Sequence, residues 1–264
     1  MKPSVGRAPL RLLVPAVAGL VFLVLPLLTL LARTPWSTLP SRLAEPRILD
    51  ALRLSLVTST LAIVVCVLLG LPLAWVLARV DFPGRSFVRA VVTVPLVLPP
   101  VVAGVALLTA FGRSGVVGAP LRDLGVTIPF TTTAVVIAHT FVALPFFVIS
   151  VEGALRAANT DYDVVAATLG AARWTIFRRV TLPLAMPGVL AGLVLGWARS
   201  LGEFGATITF AGNFPGTTQT MPLAVYEALQ ADPDAALVLS VILLLVSVLV
   251  LALLRDRWLE QAAR

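Results

Sequence analysis

The residues of this chain best suited to chemistry are an arginine and a glutamate inside an apolar segment. Arg199 and Glu203 both lie in the run from 186 to 209. Residues four apart on a helix are neighbours on one face, so the two side chains are expected to meet. Ionisable groups at membrane depth are costly, and they face either a partner or a water-filled cavity. Two interpretations stay open: a structural ion pair, and a neutralised pair that lines the path of an anion.

Other reactive side chains occur singly. His139 is the one histidine and Cys66 is the one cysteine, and both are interpreted as packed residues within apolar runs. A single cysteine excludes an intrachain disulfide and a multi-cysteine metal site. The sequence contains no nucleophile–base set, no glycine-rich phosphate loop and no paired-histidine metal motif. It therefore predicts a protein that is not an enzyme and that holds no metal or cofactor.

The composition indicates which elements must position Arg199 and Glu203. Of the 264 residues, 59% are hydrophobic and 12% are charged, and the mean hydropathy is +1.00. A soluble domain carries about 25% charged residues. These values predict an all-α, polytopic membrane protein in which residues 1–264 form one domain. Apolar runs of roughly 20 residues, the length that crosses a bilayer, predict six spans at 12–32, 54–78, 88–111, 132–154, 186–209 and 236–254.

The third predicted span contains three prolines, Pro95, Pro99 and Pro100. Each proline removes a backbone donor and frees a carbonyl, which membrane proteins tolerate where the backbone is buried in protein or faces water. The prolines fit a flexible pore element and a packed kink equally well.

The basic residues predict the orientation of the chain. With the N-terminus inside, 13 of the 20 basic residues fall in cytoplasmic segments and 6 in outer segments, Arg199 being within a span. Cytoplasmic loops carry the excess of arginine and lysine. We therefore expect both termini, and the polar segment 156–183, on the cytoplasmic side of a bacterial or archaeal cell membrane. The first run, 12–32, is long enough to span and is interpreted as a retained helix, not a signal peptide.

The polar segment 156–183 has the pattern of two short helices joined by a glycine. Thr160, with Asp163 three residues later, has the spacing of a helix-capping box. A helix is predicted from Tyr162 to Leu169, and Gly170 permits the left-handed conformation that ends a helix.

A second amphipathic stretch, 171–180, follows the glycine. Trp174, Phe177 and Arg178 lie three and four positions apart, on one face of a helix. Leu182-Pro183 is expected to end this helix and to turn the chain towards the membrane.

This layout resembles the cytoplasmic loop of ABC importer permeases. Their signature is an acidic residue and two alanines, a glycine three positions later, then nine residues and a Leu-Pro ending; Ala166, Ala167, Gly170 and 180–183 match it, while Val165 replaces the acid. The resemblance implies the type I ABC importer permease fold. It also implies that the segment is a coupling helix on an ATPase subunit, contacting it through Asp163, Ala166, Ala167, Gly170, Trp174, Phe177, Arg178, Leu182 and Pro183.

Residues 197–227 are similar to the molybdate permeases within that family. The shared pattern is Ser200-Leu-Gly-Glu-Phe-Gly-Ala-Thr-Ile-Thr-Phe210, then Asn213-x-Pro-Gly and Pro222-Leu-Ala-x-Tyr226. Sulfate and thiosulfate permeases have the same layout but tend to Gly-Glu-Tyr-Gly-Ser, and they remain alternatives, as does tungstate. The resemblance implies an oxyanion pathway or gate lined by Arg199, Ser200, Gly202, Glu203, Gly205, Thr207 and Thr209.

The same resemblance implies the partners. They are a second copy of the chain in a homodimer, two cytoplasmic ABC ATPase subunits that use ATP and Mg²⁺, an extracytoplasmic molybdate-binding protein and the lipid bilayer, with no nucleic acid. A different kind of protein, a gradient-driven transporter working alone, would carry carboxylates or histidines inside several spans. Glu203 is the one such candidate, which argues against that alternative.

Overall fold

The computed structural model describes residues 10–262, and within that range the chain is helical without β-strands. Long apolar runs become helices because a helix satisfies its own backbone hydrogen bonds in lipid. A 3₁₀ turn, Trp36–Thr38, follows the first helix, and a π-helical turn, Phe177–Thr181, joins the ninth to the tenth. The α-helices are α1 Leu10–Arg33, α2 Leu39–Leu43, α3 Pro46–Arg79, α4 Arg85–Val97, α5 Pro100–Phe111, α6 Gly118–Asp123, α7 Thr132–Ala157, α8 Asp161–Thr168, α9 Arg173–Ile176, α10 Leu182–Leu201, α11 Gly205–Phe210, α12 Met221–Ala231 and α13 Pro233–Ala262.

Five helical stretches of the described chain are long and apolar enough to cross a membrane. They contain α1, α3, α7, α10 and α13, and α4 with α5 makes a sixth if the bent pair counts as one span. The prediction of an all-α, polytopic membrane protein is confirmed.

The third predicted span, 88–111, is two helices joined at a sharp bend rather than one continuous helix. α4 ends at Val97, Leu98 and Pro99 are extended, and α5 leaves at an angle of 117° to α4. Proline disfavours the helical conformation of the residue before it, and two successive prolines stop the helix. The bend is packed, because Pro100 lies directly against Gly205 of α11.

The fifth predicted span, 186–209, is also interrupted. α10 ends at Leu201, the chain turns through 202–204, and a separate short helix, α11, begins at Gly205. Glu203 therefore lies between two helices, whereas the sequence pattern places it inside one. Membrane proteins tolerate such a break where the backbone is covered by protein, and here α5 and α7 cover it.

Helices α3, α7 and α10 form the central bundle. Cys66, Phe147 and Leu155 are fully buried in its core. Gly188, Gly192 and Gly196 follow one another at every fourth position of α10, with α7 atoms within 4 Å of where their side chains would start. Small residues at this spacing allow two helix backbones to approach closely.

Two smaller cores complete the fold. One joins α11 to α5 and α7 through residues that include Ala103, Ala138 and Phe210. The other joins the start of α3 to α12 and α13 through Ile48, Met221 and others. α1 stands apart, since none of its apolar window is buried within the chain.

Candidate functional site

Arg199 and Glu203 form an ion pair. Nη1 of Arg199 lies 2.6 Å from Oε2 of Glu203, as their spacing predicts, although Glu203 has left the helix that carries Arg199. The glutamate side chain is 1% exposed and the arginine side chain is 31% exposed. The carboxylate is therefore enclosed by protein, while part of the guanidinium stays open.

The second carboxylate oxygen of Glu203 caps the next helix. The backbone N–H of Ala206 donates to Oε1 of Glu203 at 2.8 Å. A carboxylate at this position satisfies a free amide in the first turn of α11 and complements the positive helix end. Glu203 thus holds the break between α10 and α11 in place. The arginine is the more exposed member of the pair.

Several buried polar atoms near this pair lack a partner among the described residues. They are Oγ of Ser200, Oγ1 of Thr207 and both ring nitrogens of His139. By contrast, Thr209 donates to the carbonyl of Gly205 and is locally satisfied. Buried polar groups are paired in most proteins, so this cluster of unpaired atoms distinguishes the region around the ion pair.

His139 joins this group through the packing of α7 on α10. The two helices run antiparallel, with Gly188 beside Ala154 and Gly196 beside Ala143. One turn further along α10 from Gly196, and one turn back along α7 from Ala143, Ser200 lies at the level of His139. A lone histidine in an apolar run gives no sign of this position, because its neighbours come from a helix some 60 residues away in sequence.

Gly205 allows α11 to touch α5. A Cβ on this residue would lie 2.5 Å from Cβ of Pro100, closer than side chains tolerate. We expect Gly205→Ala to force the two helices apart and to lower the free energy of unfolding by about 1–3 kcal/mol. Thermal unfolding of the detergent-purified protein measures this change.

Gly202 provides the matched control for that prediction. A Cβ there would meet its nearest neighbour, the carbonyl oxygen of Ala198, at 3.7 Å. Its φ of −88° suits any residue. Gly202→Ala should unfold like the unaltered protein, and equal destabilisation by both substitutions would contradict the assigned contact.

The glycine in the polar segment has the predicted conformation. Gly170 has φ +83° and follows α8. Thr160 occupies the predicted N-cap position of α8, but its backbone is nearly helical and its side chain makes no capping hydrogen bond. Instead, Oδ1 of Asn159 accepts a hydrogen bond from the backbone N–H of Asp161 at 2.9 Å.

Asp163 ties α8 to the bundle. The hydroxyl of Thr181 donates to Oδ1 of Asp163 at 2.9 Å, and Nη2 of Arg79 lies 3.7 Å from the other oxygen. Thr181 is buried, at 2% exposure. The aspartate therefore fixes the position of α8 against α3 and the π-helical turn.

The prediction that Leu182-Pro183 ends the second helix is wrong. α9, the π-helical turn and α10 form one stretch, Arg173–Leu201. The N–H of Leu182 donates to the carbonyl of Phe177, five residues back, and Pro183 lies in the first turn of α10. A proline is tolerated here because the π-helical turn has already shifted the bonding pattern. Residues 173–183 of the polar segment and Arg199 therefore belong to one helical stretch about 40 Å long.

The predicted ATPase-contact residues divide into two sets. Phe177 packs edge-on against Trp75 of α3 at 6.2 Å between ring centroids. Phe177 belongs to the half-buried set, which consists of Asp163, Ala166, Phe177 and Leu182. The exposed set is Ala167, Gly170, Trp174, Arg178 and Pro183.

α8 also exposes apolar residues that the sequence pattern did not single out. Tyr162, Val164, Val165 and Leu169 are 56–82% exposed. Exposed apolar residues that lie close together mark a contact surface for another protein. Val165 occupies the position of the acid in the family signature, so the surface is apolar at that point. The signal was present in the sequence as four large hydrophobic residues within a polar loop.

A buried glutamate links α4 to α7 beside the polar segment. Nε and Nη2 of Arg89 donate to Oε1 of Glu152 at 2.9 and 2.7 Å, and Nε of Arg156 lies 3.0 Å away. The glutamate side chain is 8% exposed. Sequence reasoning missed this cluster, because a charge near the end of a span resembles any loop residue.

Glu152→Gln is expected to destabilise the fold by about 2 kcal/mol, since it leaves two guanidinium groups without their carboxylate. The cost stays below that of a fully buried pair because both arginines are more than a third exposed. The control is the pair Asp81–Arg85, in which the aspartate is 98% exposed. Asp81→Asn should cost less than about 1 kcal/mol. Chemical denaturation measures both, and equal effects would contradict the prediction.

At the other end of the bundle, Asp232 joins α2 to the start of α13. The backbone N–H of Ala235 donates to Oδ1 of Asp232 at 3.1 Å, and Nη2 of Arg42 lies 2.5 Å from Oδ2 of Asp232. These contacts hold the pKa of Asp232 below its usual value, and the hydrogen bond from the amide of Ala235 has the largest effect. The carboxylate therefore stays charged, and the link between α2 and α13 persists into mildly acidic solution.

Comparison with known proteins agrees with this geometry. Residues 66–264 match the family described as binding-protein-dependent transport system inner membrane component. Over 236 residues the chain is 52% identical to the molybdenum transport system permease protein ModB of Mycobacterium tuberculosis, covering 89% of each chain. It is 34% identical over 235 residues to the sulfate transport system permease protein CysT of Escherichia coli, covering 88% of this chain and 85% of the other.

A solved structure shares the fold. The chain aligns with a bacterial alginate ABC transporter, crystallised with an alginate pentasaccharide-bound periplasmic protein, at a TM-score of 0.75 and 21% identity. The alignment covers 92% of this chain and 91% of the other. Matches in sequence and in fold both extend over most of the chain, which therefore belongs to the family of binding-protein-dependent transport system inner membrane components, the permeases of ABC importers.

Proposed function

We propose that this chain is the permease subunit of an ATP-driven importer of molybdate and forms the path of the oxyanion through the membrane. The observation that carries the choice of cargo is the 52% identity to a molybdenum permease, against 34% to a sulfate permease. The partly open guanidinium of Arg199 supports an anionic cargo, because it is the exposed member of a pair otherwise enclosed by protein. The carboxylate of Glu203 partly neutralises the charge of Arg199, so that a dianion is attracted without being bound too tightly to leave.

ATP hydrolysis belongs to a separate subunit, which uses ATP and Mg²⁺, and this chain is not an enzyme. The exposed apolar residues Tyr162, Val164, Val165 and Leu169 form the docking surface for that ATPase. The hydrogen bond between Asp163 and Thr181 holds α8 in position against the bundle. The continuous stretch Arg173–Leu201 then carries a displacement of the docked segment to Arg199. Rigid-body movement of this kind is a common way to switch a membrane bundle between two states.

A homodimer and a cytoplasmic position for both termini complete the proposal. No residue in the apolar window of α1 is buried within the chain, which supports a second copy and lipid as its neighbours. The excess of basic residues on one side supports a cytoplasmic polar segment. An extracytoplasmic binding protein delivers the molybdate, in keeping with the family's dependence on such proteins.

Reconstitution of the permease with its ATPase and its binding protein in liposomes tests the cargo. Molybdate should stimulate ATP hydrolysis and ATP-dependent uptake, whereas sulfate at equal concentration should not. Stimulation by sulfate without stimulation by molybdate would overturn the proposal in favour of a sulfate permease. Uptake that proceeds with an ion gradient and no ATP would favour a transporter that works alone.

A further inference from the structure

An apolar groove runs along the outside of the bundle between α3 and α9. Its volume is about 580 Å³. Leu68 and Leu71 of α3 form one wall, and the aromatic side chains of Trp174 and Phe177 form the other. The groove belongs to neither the Arg199 site nor the exposed apolar residues of α8. The family resemblance implies an ATPase contact for its Trp174 and Phe177, but the transport proposal places that contact on α8 and leaves the groove without a role.

Aromatic rings give the groove a defined mouth. Trp174 stacks on Phe177 at 5.4 Å, and Phe177 meets Trp75 edge-on at 6.2 Å. Trp174 is nevertheless 70% exposed. Tryptophans with one covered and one open face collect at the level of lipid headgroups, where an apolar environment meets a polar one. The mouth of the groove therefore lies where a headgroup would be.

The basic residues of the helical stretch beside the groove have no carboxylate partner in the part of the chain that the structure describes. Arg173 lines the groove, and the exposed Arg178 and Arg179 follow on the same helical stretch. Among the described residues, no carboxylate lies within 4 Å of any of these three guanidinium groups. Arg85 and Arg89 at the same end of the bundle do have carboxylate partners. The charge at the groove is thus left for a group from outside the chain.

We propose that this groove binds an anionic phospholipid, with an acyl chain along Leu68 and Leu71 and the phosphate at Arg173. The apolar walls match the chain and the unpaired guanidinium matches the headgroup, as in other basic pockets at the cytoplasmic surface of membrane proteins. The groove is also continuous with an exposed apolar face of α3, where Leu61, Val64 and Leu68 are 47–66% exposed. That face lies within a membrane span, so lipid reaches it and an aqueous subunit does not.

Quenching of tryptophan fluorescence by brominated lipids tests this site. The full chain is reconstituted in phosphatidylcholine vesicles that contain either brominated phosphatidylglycerol or brominated phosphatidylcholine at the same mole fraction. We expect about a fivefold preference of the site for the anionic lipid, the advantage of one basic residue near a charged headgroup. Trp75 and Trp174 line the groove among the five tryptophans. Trp174→Phe should reduce the difference in quenching, and Trp75→Phe with Trp174→Phe should remove most of it.

Charge variants decide whether Arg173 is responsible. Arg173→Gln should abolish the preference and Arg173→Lys should retain it, because lysine also binds phosphate as a point charge. The matched control is Arg113→Gln, which should leave the preference unchanged. Arg113 is exposed in the loop after α5, and no described carboxylate lies within 4 Å of its guanidinium group. Equal quenching by both lipids, or a preference that survives Arg173→Gln, would overturn the proposal. If neither lipid quenches the groove tryptophans, a second copy or the ATPase covers them and the proposal fails.

Discussion

Glu203→Ala is expected to lower the free energy of unfolding by about 3–5 kcal/mol and to abolish transport, the largest effect of any substitution considered for this protein. The side chain is 1% exposed and makes two contacts, one to Arg199 and one to the amide of Ala206. Its removal leaves a guanidinium in the bundle without a partner and α11 without its cap. Unfolding of the purified protein and uptake by the reconstituted complex measure the two effects.

Arg199→Ala is the informative comparison. It removes the exposed partner but leaves the carboxylate of Glu203 on the amide of Ala206, so the break between α10 and α11 keeps its cap. We expect this variant to lose uptake while it unfolds closer to the unaltered protein than Glu203→Ala does. If Arg199→Ala fails to fold, the pair has a structural role alone. If Glu203→Ala folds and transports normally, the assigned contacts are wrong.

Placing a negative charge on the exposed apolar face of α8 is expected to reduce ATP-driven uptake by roughly 10- to 100-fold, the effect of losing a central interface residue. Val164→Asp and Leu169→Asp are the variants, since these side chains are 61% and 82% exposed and contribute little to the fold of the isolated chain. A buried charge at the contact with the ATPase is costly because it has no partner there. Co-purification of the ATPase with the permease, together with uptake, measures the loss.

Leu124→Asp provides the matched control for these variants. Leu124 is 78% exposed just after α6, far in sequence from the polar segment, and the chemical change is the same. It should leave co-purification of the ATPase unaltered. Normal coupling in both α8 variants would show that this surface is not where the ATPase docks, whatever cargo the permease carries.

Features that depend on neighbouring residues were predictable from the sequence. Gly170 has a positive φ because a glycine after a short helix can take the left-handed conformation without steric cost. The helix before it begins and ends within one residue of its predicted bounds, 162–169. Five of the long apolar runs correspond to long helices. These runs are recognisable in the sequence because a helix needs roughly 20 apolar residues to cross a bilayer.

Features that depend on contacts between distant segments were not predictable. The apolar run 186–209 continues through Glu203, and only the structure shows that the helix stops at Leu201 and restarts at Gly205, packed against Pro100. Asp163 has the spacing of a capping residue, yet it bonds to Thr181, 18 positions later, because the π-helical turn brings that hydroxyl to it. The missed cluster at Glu152 joins residues 63 positions apart.

The sequence by itself therefore determined the membrane class, the number of apolar runs, the glycine hinge and the meeting of Arg199 with Glu203, all of which follow from composition or from separations of a few residues. Only the tertiary structure decided which partner each charge has, where two of the runs break and which faces remain exposed. Helix periodicity reports which side of a helix a residue occupies, but it carries no information about what packs there. In this bundle the packed neighbours decide the role of each charge. Glu203 is enclosed by protein and caps α11, whereas Arg199 stays partly exposed.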